Sequence, residues 1–366
     1  MKKIGIVTWF GGSNYGTSLQ AYALCAKIEE LGASPYLLKR HITWRNIIGN
    51  IIRSCIQKKL QEKEHGYGKK KKKKILSFKK NNFKQFPLCF GFIGKQAYKW
   101  QISKLSCIIA GSDQLWNPYH TSPYLLLKDF KTNKYSYASS IGVEKIPKGI
   151  NHLYIEALRD FELISVREES AIVPLQELSG KQITKVVDPT FLLVREQWVK
   201  FSNGFSITKF DKTTPYILCY FIANQEEYWY KLEKIRVTTQ IDRVVVLPMH
   251  PSHFKRTVEL VEDAGINDFV FLLNNARLIC TDSFHATALS INLEKDFITM
   301  LRFKEKDVNS QNSRLENLLN HYNLSNRLYV DRPPTLESID YSTVQVKLTS
   351  DRELSISYLK SVINAC

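Results

Sequence analysis

Arg277-Leu-Ile-Cys-Thr-Asp-Ser-Phe-His285-Ala-Thr-Ala-Leu-Ser-Ile291 holds a short apolar run that stops at Thr281-Asp282-Ser283, and around His285 the small-residue pattern of a helix begins. The stretch reads as strand, tight loop and helix, with an imidazole at the strand's carboxyl end. Ligands bind there in open α/β sheets, because loops converge and the next helix offers free N–H groups and partial positive charge to an anion. A plainer reading has Asp282 and Ser283 capping the helix while His285 packs beneath it.

Other segments repeat the arrangement. Gly11-Gly12-Ser13-Asn14-Tyr15-Gly16-Thr17-Ser18 follows a strand over 3–9 and precedes a helix over 19–31. Its backbone can bend tightly and present N–H groups, so Asn14, Gly16 and Thr17 are candidate ligand contacts, although the spacing is neither a dinucleotide fingerprint nor a Walker loop. In Ile108-Ile-Ala-Gly-Ser-Asp113-Gln-Leu-Trp-Asn-Pro118 a carboxylate stands where an apolar strand ends. Asp113 is either an acid–base candidate or the N-cap of a short helix. Ser165-Val-Arg167-Glu168-Glu169 puts an arginine just past a strand, free to grip a phosphate or carboxylate through two N–H groups or to pair with Glu168 or Glu169.

Strands and helices alternate along the chain. Apolar strands are read at Cys107–Ala110, Tyr135–Ala138, Leu163–Val166, Tyr216–Ile222 and Arg243–Leu247, with helices over 152–159, 225–237 and 267–275. This predicts an α/β protein with parallel sheets covered by helices. At 366 residues two domains are expected, 1–190 with a basic insertion at about 41–93, and 191–366 carrying Thr281–His285. The closing stretch 353–365 reads as a helix that can pack in either half.

No apolar stretch reaches the ~20 residues that span a bilayer. The seven cysteines are odd in number and scattered, which argues against a disulfide framework or a structural zinc site and suits a reducing cytoplasm. Much of the net charge of +17 gathers around the unbroken run Lys69–Lys74. Six successive ammonium groups are too costly to bury, so the run is expected as a solvated insertion, attracted either to an anionic membrane surface or to nucleic acid. No nucleic-acid module surrounds it.

The wording of five segments goes further. Gly11–Leu24, Ala110–Pro118, Ser165–Glu168, Val187-Asp-Pro-Thr190 and Thr281–His285, in this order, resemble the polysaccharide pyruvyl transferase family across both halves of the chain. The resemblance implies two Rossmann-like domains arranged as in GT-B glycosyltransferases, with the active site in the interdomain cleft. It implies phosphoenolpyruvate as donor and transfer of its pyruvyl group to two hydroxyls of one sugar, giving a cyclic ketal and inorganic phosphate; the acceptor is expected to be a lipid-linked saccharide destined for a surface polysaccharide. His285 and Arg167 match residues associated with donor binding or catalysis, and Asp113 is the second proton-transfer candidate. Some members carry arginine where this chain has Ser283. Arg314, opening a helix after a polar loop, is the candidate replacement cation, and Ser283 joins the donor-binding set. The scheme requires no metal and no cofactor. Two competing expectations are a nucleotide-sugar-dependent glycosyltransferase of the same fold and a non-catalytic nucleic-acid-binding protein.

Overall fold

In the computed structural model, which describes residues 1–39, 68–86, 91–304, 307, 310–334 and 336–366, β1 (Lys3–Val7) pairs in parallel with β2 (Ser34–Leu37) on one side and β3 (Cys107–Ala110) on the other. Ile4 stands opposite both Pro35 and Cys107. The sheet continues through β4 (Lys134–Ser136), β5 (Phe161–Val166) and β6 (Ile183–Lys185), giving the order β2-β1-β3-β4-β5-β6. A second sheet runs β11-β10-β7-β8-β9, from β7 (Ile217–Tyr220), β8 (Val244–Val246), β9 (Glu259–Leu260), β10 (Leu278–Thr281) and β11 (Phe297–Thr299). Every pairing is parallel. Helices cover both faces of such sheets, so strands like Cys107-Ile-Ile-Ala110 and Leu278-Ile-Cys-Thr281 are buried throughout rather than alternating.

Strand order fixes where a ligand can sit. The first sheet reverses direction between β1 and β3, the second between β7 and β10. A crevice opens beyond the carboxyl ends of the strands at each reversal. The glycine loop follows β1, Asp113 follows β3, and His285 follows β10, so three of the sequence motifs occupy these two crevices. A shared apolar core joins the halves, with Ile6, Leu19 and Leu24 in contact with a cluster that includes Leu218, Phe269 and Leu289.

Several elements differ from the sequence reading. The first helix begins at Tyr15 rather than Leu19, because Asn14 caps it and the second half of the glycine loop becomes its first turn. The final helix is longer, Tyr341–Ala365, and returns to the first sheet: Tyr358 donates to the Ser136 carbonyl at 2.9 Å and Ser355 Oγ accepts from Val187 N at 2.9 Å. Cys366, just past the end of this helix, is joined to Cys107 by a disulfide with Cα atoms 5.3 Å apart. Cysteine spacing argued against cross-links; this one escapes such reasoning because its partners are 259 residues apart and meet only through the returning helix.

The lysine run is the main correction. Residues 41–67 and 87–90 of the expected insertion lie outside the described residues, but Lys69–Asn82 is a helix packed across both halves. Helical periodicity turns Lys71, Ile75, Phe78 and Lys79 inward and leaves Lys69, Lys70, Lys72 and Lys73 exposed. The Lys71 amine lies 4.4 Å from the centre of the Tyr15 ring and 3.6 Å from Met249 Sδ; Lys74 pairs with Asp268 at 3.0 Å and Asp263 at 3.4 Å. Aromatic faces and long apolar stems make this partial burial tolerable. No helix among the described residues is long and apolar enough to cross a membrane.

Candidate functional site

The site is built on two helix N-termini facing each other. Asn14 Oδ1 accepts from Thr17 N at 3.3 Å, and Thr17 Oγ1 returns a bond to the Asn14 carbonyl at 3.1 Å, fixing the turn that starts helix Tyr15–Glu30. No acidic residue occupies that first turn, so its positive end is uncompensated. Across the crevice, Ser283 caps helix Phe284–Asn292 by accepting from Ala286 N at 3.4 Å. Asp282 does not cap the helix. It accepts from Ile222 N at 2.6 Å and Ala223 N at 2.8 Å, tying the loop after β10 to the loop after β7.

The His285 ring rests against Gly16. A Cβ at position 16 would lie 2.4 Å from His285 Nδ1, so only glycine allows this approach. The first and last of the five motifs are thereby in van der Waals contact.

Around His285 lies a buried group of charges. Arg167, just past β5, donates through Nη1 to Asp188 Oδ2 at 2.7 Å, while Nη2 stands 3.9 Å from Asp113 and Nε 3.8 Å from Glu168. Its guanidinium also covers the Phe284 ring at 4.1 Å. Asp188 Oδ2 also accepts from Ser112 Oγ at 3.1 Å and stands 3.7 Å from His285 Nε2, while Oδ1 accepts from Thr190 N at 3.0 Å and Thr190 Oγ1 at 2.8 Å. The principal partner of Arg167 is therefore Asp188, not the adjacent glutamates: Glu168 accepts from Ile141 N and Gly142 N, and Glu169 pairs with Lys185.

Asp113 has φ +77, a backbone conformation costly for a side chain other than glycine, and no helix begins there, which removes the capping alternative. Its carbonyl accepts from Ser140 N at 3.0 Å, holding the loop against the next strand's extension.

Burial lowers the His285 pKa below its ordinary value against the pull of Asp188 and Asp113, with Arg167 and Arg314 pushing the same way as burial, so the ring is neutral at neutral pH. Burial alone would raise the Asp188 pKa, but His285, Arg167 and the Thr190 N–H outweigh it and hold the carboxyl below its usual range. Among the described residues, several buried atoms have no hydrogen-bond partner: Arg167 Nε and Nη2, His285 Nε2, Glu168 Oε2 and Arg302 Nε. Most buried polar atoms in folded proteins are hydrogen-bonded, so a cluster of unsatisfied ones calls for an explanation.

Arg314, second residue of helix Ser313–His321, lies 5.9 Å from the Phe284 ring; burial, then Arg167, push its pKa down to about 9. A cavity of about 480 Å³ opens beside the cluster, lined by Arg167, Asp188, Phe284 and Arg314 among others; His285 and Asp113 do not line it. The structure thus brings together His285, Arg167, Asp113, Gly16 and Arg314, with Asn14, Thr17 and Ser283 serving the helix starts. Sequence reasoning missed Asp188, which it saw only as wording in Val187-Asp-Pro-Thr190, and Arg302, whose Nη2 donates to the Asp282 carbonyl at 3.1 Å. Asp188 announced itself by standing, like Asp113, shortly after an extended segment; Arg302 carried no local signal.

Among solved structures, the Staphylococcus aureus MnaA–UDP co-structure superposes with a TM-score of 0.51 at 12% identity, covering 98% of this chain and 91% of that one. UDP-GlcNAc 2-epimerase from Neisseria meningitidis bound to UDP-GlcNAc gives 0.49 at 11%, over 98% and 93%. MurG from Acinetobacter baumannii gives 0.47 at 7%, over the full length of both chains. At these identities the likeness concerns the fold alone, and it agrees with two parallel-sheet domains of GT-B type. No curated protein matches the chain. The sequence profile of polysaccharide pyruvyl transferases matches residues 14–302, which spans four of the five motifs in full and nearly all of the first, and the chain belongs to the polysaccharide pyruvyl transferase family.

Proposed function

We propose that this protein transfers the pyruvyl group of phosphoenolpyruvate onto two hydroxyls of one sugar, yielding a cyclic ketal and inorganic phosphate. The observation that carries the proposal is the buried Arg167–Asp188–His285 cluster, in which Arg167 Nε and Nη2 and His285 Nε2 lack hydrogen-bond partners among the described residues while the His285 ring rests on Gly16 at the uncompensated helix start. An anion with both carboxylate and phosphate satisfies such a set. Arg167 and Arg314 take the donor's charged groups, aided by the first-turn N–H groups that Asn14, Gly16 and Thr17 shape and by Ser283 at the opposite helix start.

The chemistry needs an acid, a base and cations. Protonation of the donor's methylene carbon makes an oxocarbenium-like centre at C2, to which the first sugar hydroxyl adds with loss of its proton. The neighbouring hydroxyl then displaces phosphate, its proton leaving with the phosphate, so one hydroxyl proton is balanced by the new methyl hydrogen and the other by the leaving group. His285, neutral at rest, suits acceptance of a hydroxyl proton, and Asp113 takes the second proton role.

The acceptor in this proposal is a lipid-linked saccharide, met by a cytoplasmic enzyme lying on the inner membrane face. Support comes from four exposed lysines, Lys69, Lys70, Lys72 and Lys73, on the outer side of their helix. Replacing these four with glutamine should weaken binding to anionic vesicles by about 1 kcal/mol per residue at most; unchanged vesicle binding at low salt removes that support. The activity itself is tested by incubating the protein with phosphoenolpyruvate and candidate saccharides and following phosphate. Release of nucleotide from a sugar nucleotide without turnover of phosphoenolpyruvate would instead identify a glycosyltransferase.

A further inference from the structure

Arg352, on the closing helix, is a buried cation that the reaction above does not use. It is 9% exposed, and among the described residues its guanidinium forms no ion pair; it donates through Nε to the Phe191 carbonyl at 2.7 Å and through Nη2 to Asn292 Oδ1 at 3.1 Å. A charge buried without a counter-ion is costly, so the geometry these two bonds secure has to offset that cost. Asn292, 1% exposed, extends the clamp by donating through Nδ2 to the Thr190 and Leu193 carbonyls, each at 2.8 Å. Trp198 Nε1 shares the Thr190 carbonyl at 2.9 Å, and Ser355 Oγ, three residues along the closing helix from Arg352, accepts from Val187 N at 2.9 Å. Segment 187–193 is thus fastened at both ends and in the middle, and Asp188 is its second residue.

Asn292 is also the last residue of helix Phe284–Asn292, whose second residue is His285. Positions seven apart share a helix face and lie roughly 10 Å from each other along the axis. One face of this helix therefore carries the imidazole near its start and the clamp at its end. Between His285 and Asp188 themselves there is no hydrogen bond: Nε2 stands 3.7 Å from Oδ2 and has no partner among the described residues. Since no bond at the contact sets that gap, the surrounding scaffold does.

We infer that Asn292 and Arg352 are positioning residues for His285, locking segment 187–193 onto helix Phe284–Asn292 so that Asp188 and the imidazole keep the separation the reaction requires. The inference rests on the proposed pyruvyl transfer for its consequence in turnover, whereas the separation itself is measurable without substrate. It gives the return of helix Tyr341–Ala365 a task, since that helix brings Arg352 and Ser355 to the segment that joins the two sheets. The charges facing His285 fix the sign of the test. Burial opposes its protonated form most, Asp188 and Asp113 favour that form, and Arg167 and Arg314 oppose it. Arg167, lying over the neighbouring Phe284 ring, stays with the helix. A loosened clamp that lets Asp188 recede therefore removes an attraction and keeps the repulsion, and the ring takes its proton at lower pH than in the wild type.

NMR titration of isotope-labelled histidine in the full chain reads this directly, with His285→Gln assigning the resonance, and crystal structures of the variants read the gap itself. Arg352→Met and Asn292→Ala should each move the His285 titration to lower pH, widen the 3.7 Å separation and slow kcat by about 10- to 100-fold, the loss that about 1 Å of misplacement causes. Arg352→Lys keeps the cation without the fork; it is the companion should the methionine variant not fold, and should shift the titration the same way by less. Tyr358→Phe is the control for lost stability, because it removes a bond from the same helix to the Ser136 carbonyl and none to the segment, and it should leave the His285 titration in place. A titration that stays in place in Arg352→Met and Asn292→Ala, a crystal structure of either with the gap unchanged, or an equal shift in Tyr358→Phe overturns the assignment. A shifted titration in a protein that does not turn over phosphoenolpyruvate would keep the positioning and discard the pyruvyl reading.

Discussion

Asp188→Asn should destabilise the protein by about 3 kcal/mol at pH 7. The carboxylate carries the Arg167 pair at 2.7 Å and accepts from Ser112 and from both Thr190 donors, in a position 2% exposed. An asparagine keeps its oxygen on Thr190 but turns an NH2 toward Arg167 and Ser112, leaving a buried guanidinium whose remaining acids stand 3.8 and 3.9 Å away. Removing one partner of a buried ion pair costs about 3–5 kcal/mol, and those two residual acids hold the loss near the lower end. The pH dependence follows from the sign of the shift. Asp188 titrates below its ordinary range in the folded state, so its contribution is fully present above the unfolded carboxyl pKa of about 4 and is lost as pH falls through the folded value. Urea titrations of both proteins, run from pH 7 down to about pH 3.5, should show the gap narrowing only at the acid end. A loss under about 1 kcal/mol at pH 7, or a gap that stays constant with pH, refutes the claim that Asp188 is the counter-ion around which the cluster is organised.

Lys71→Met should be stabilising at pH 7 by about 1–2 kcal/mol: relief of an amine held at about 8 rather than 10.5 returns about 3 kcal/mol, less about 1–2 for the lost contact with the Tyr15 ring. Because that folded pKa is depressed, wild-type stability should climb between about pH 8 and 10.5 and close the difference, and a destabilised variant in urea contradicts the sign. Asp113→Asn should lose ~10²–10⁴-fold in turnover, while Asp113→Gly, equally inactive, should melt above the asparagine variant because φ +77 suits glycine; near wild-type turnover in either excludes Asp113 from proton transfer. Gly16→Ala should displace the His285 ring and cost about 1–3 kcal/mol together with most activity, and a crystal structure with the imidazole unmoved would contradict the contact.

The sequence made the strands and their carboxyl ends readable, and tertiary return paths hid the rest. Apolar runs such as Cys107–Ala110 and Leu278–Thr281 announce buried parallel strands, and the polar residues that stop them mark carboxyl ends, so Asp113, Arg167 and His285 could be named without coordinates. What periodicity cannot convey is which loops meet. The packing of His285 on Gly16 depends on two sheets facing each other through a common core, and the tie from Cys107 to Cys366 depends on a closing helix that crosses back to the first sheet. The lysine run misled for a different reason: a count of like charges ignores that a helix distributes consecutive residues around its axis, so Lys71 enters the interior while Lys70 and Lys72 stay in water. Asp188 was obscured by chemistry rather than topology, since an aspartate before proline reads equally well as a turn residue.

The most direct test of the account is the product formed from phosphoenolpyruvate and a sugar acceptor in heavy water, resolved by mass spectrometry and proton NMR. Protonation at the methylene carbon predicts a cyclic ketal whose methyl group carries one solvent deuterium, with one phosphate released per ketal and both lost in His285→Ala. A product that retains the phosphate, a ketal methyl without solvent deuterium, or unimpaired formation in His285→Ala would contradict the central claim.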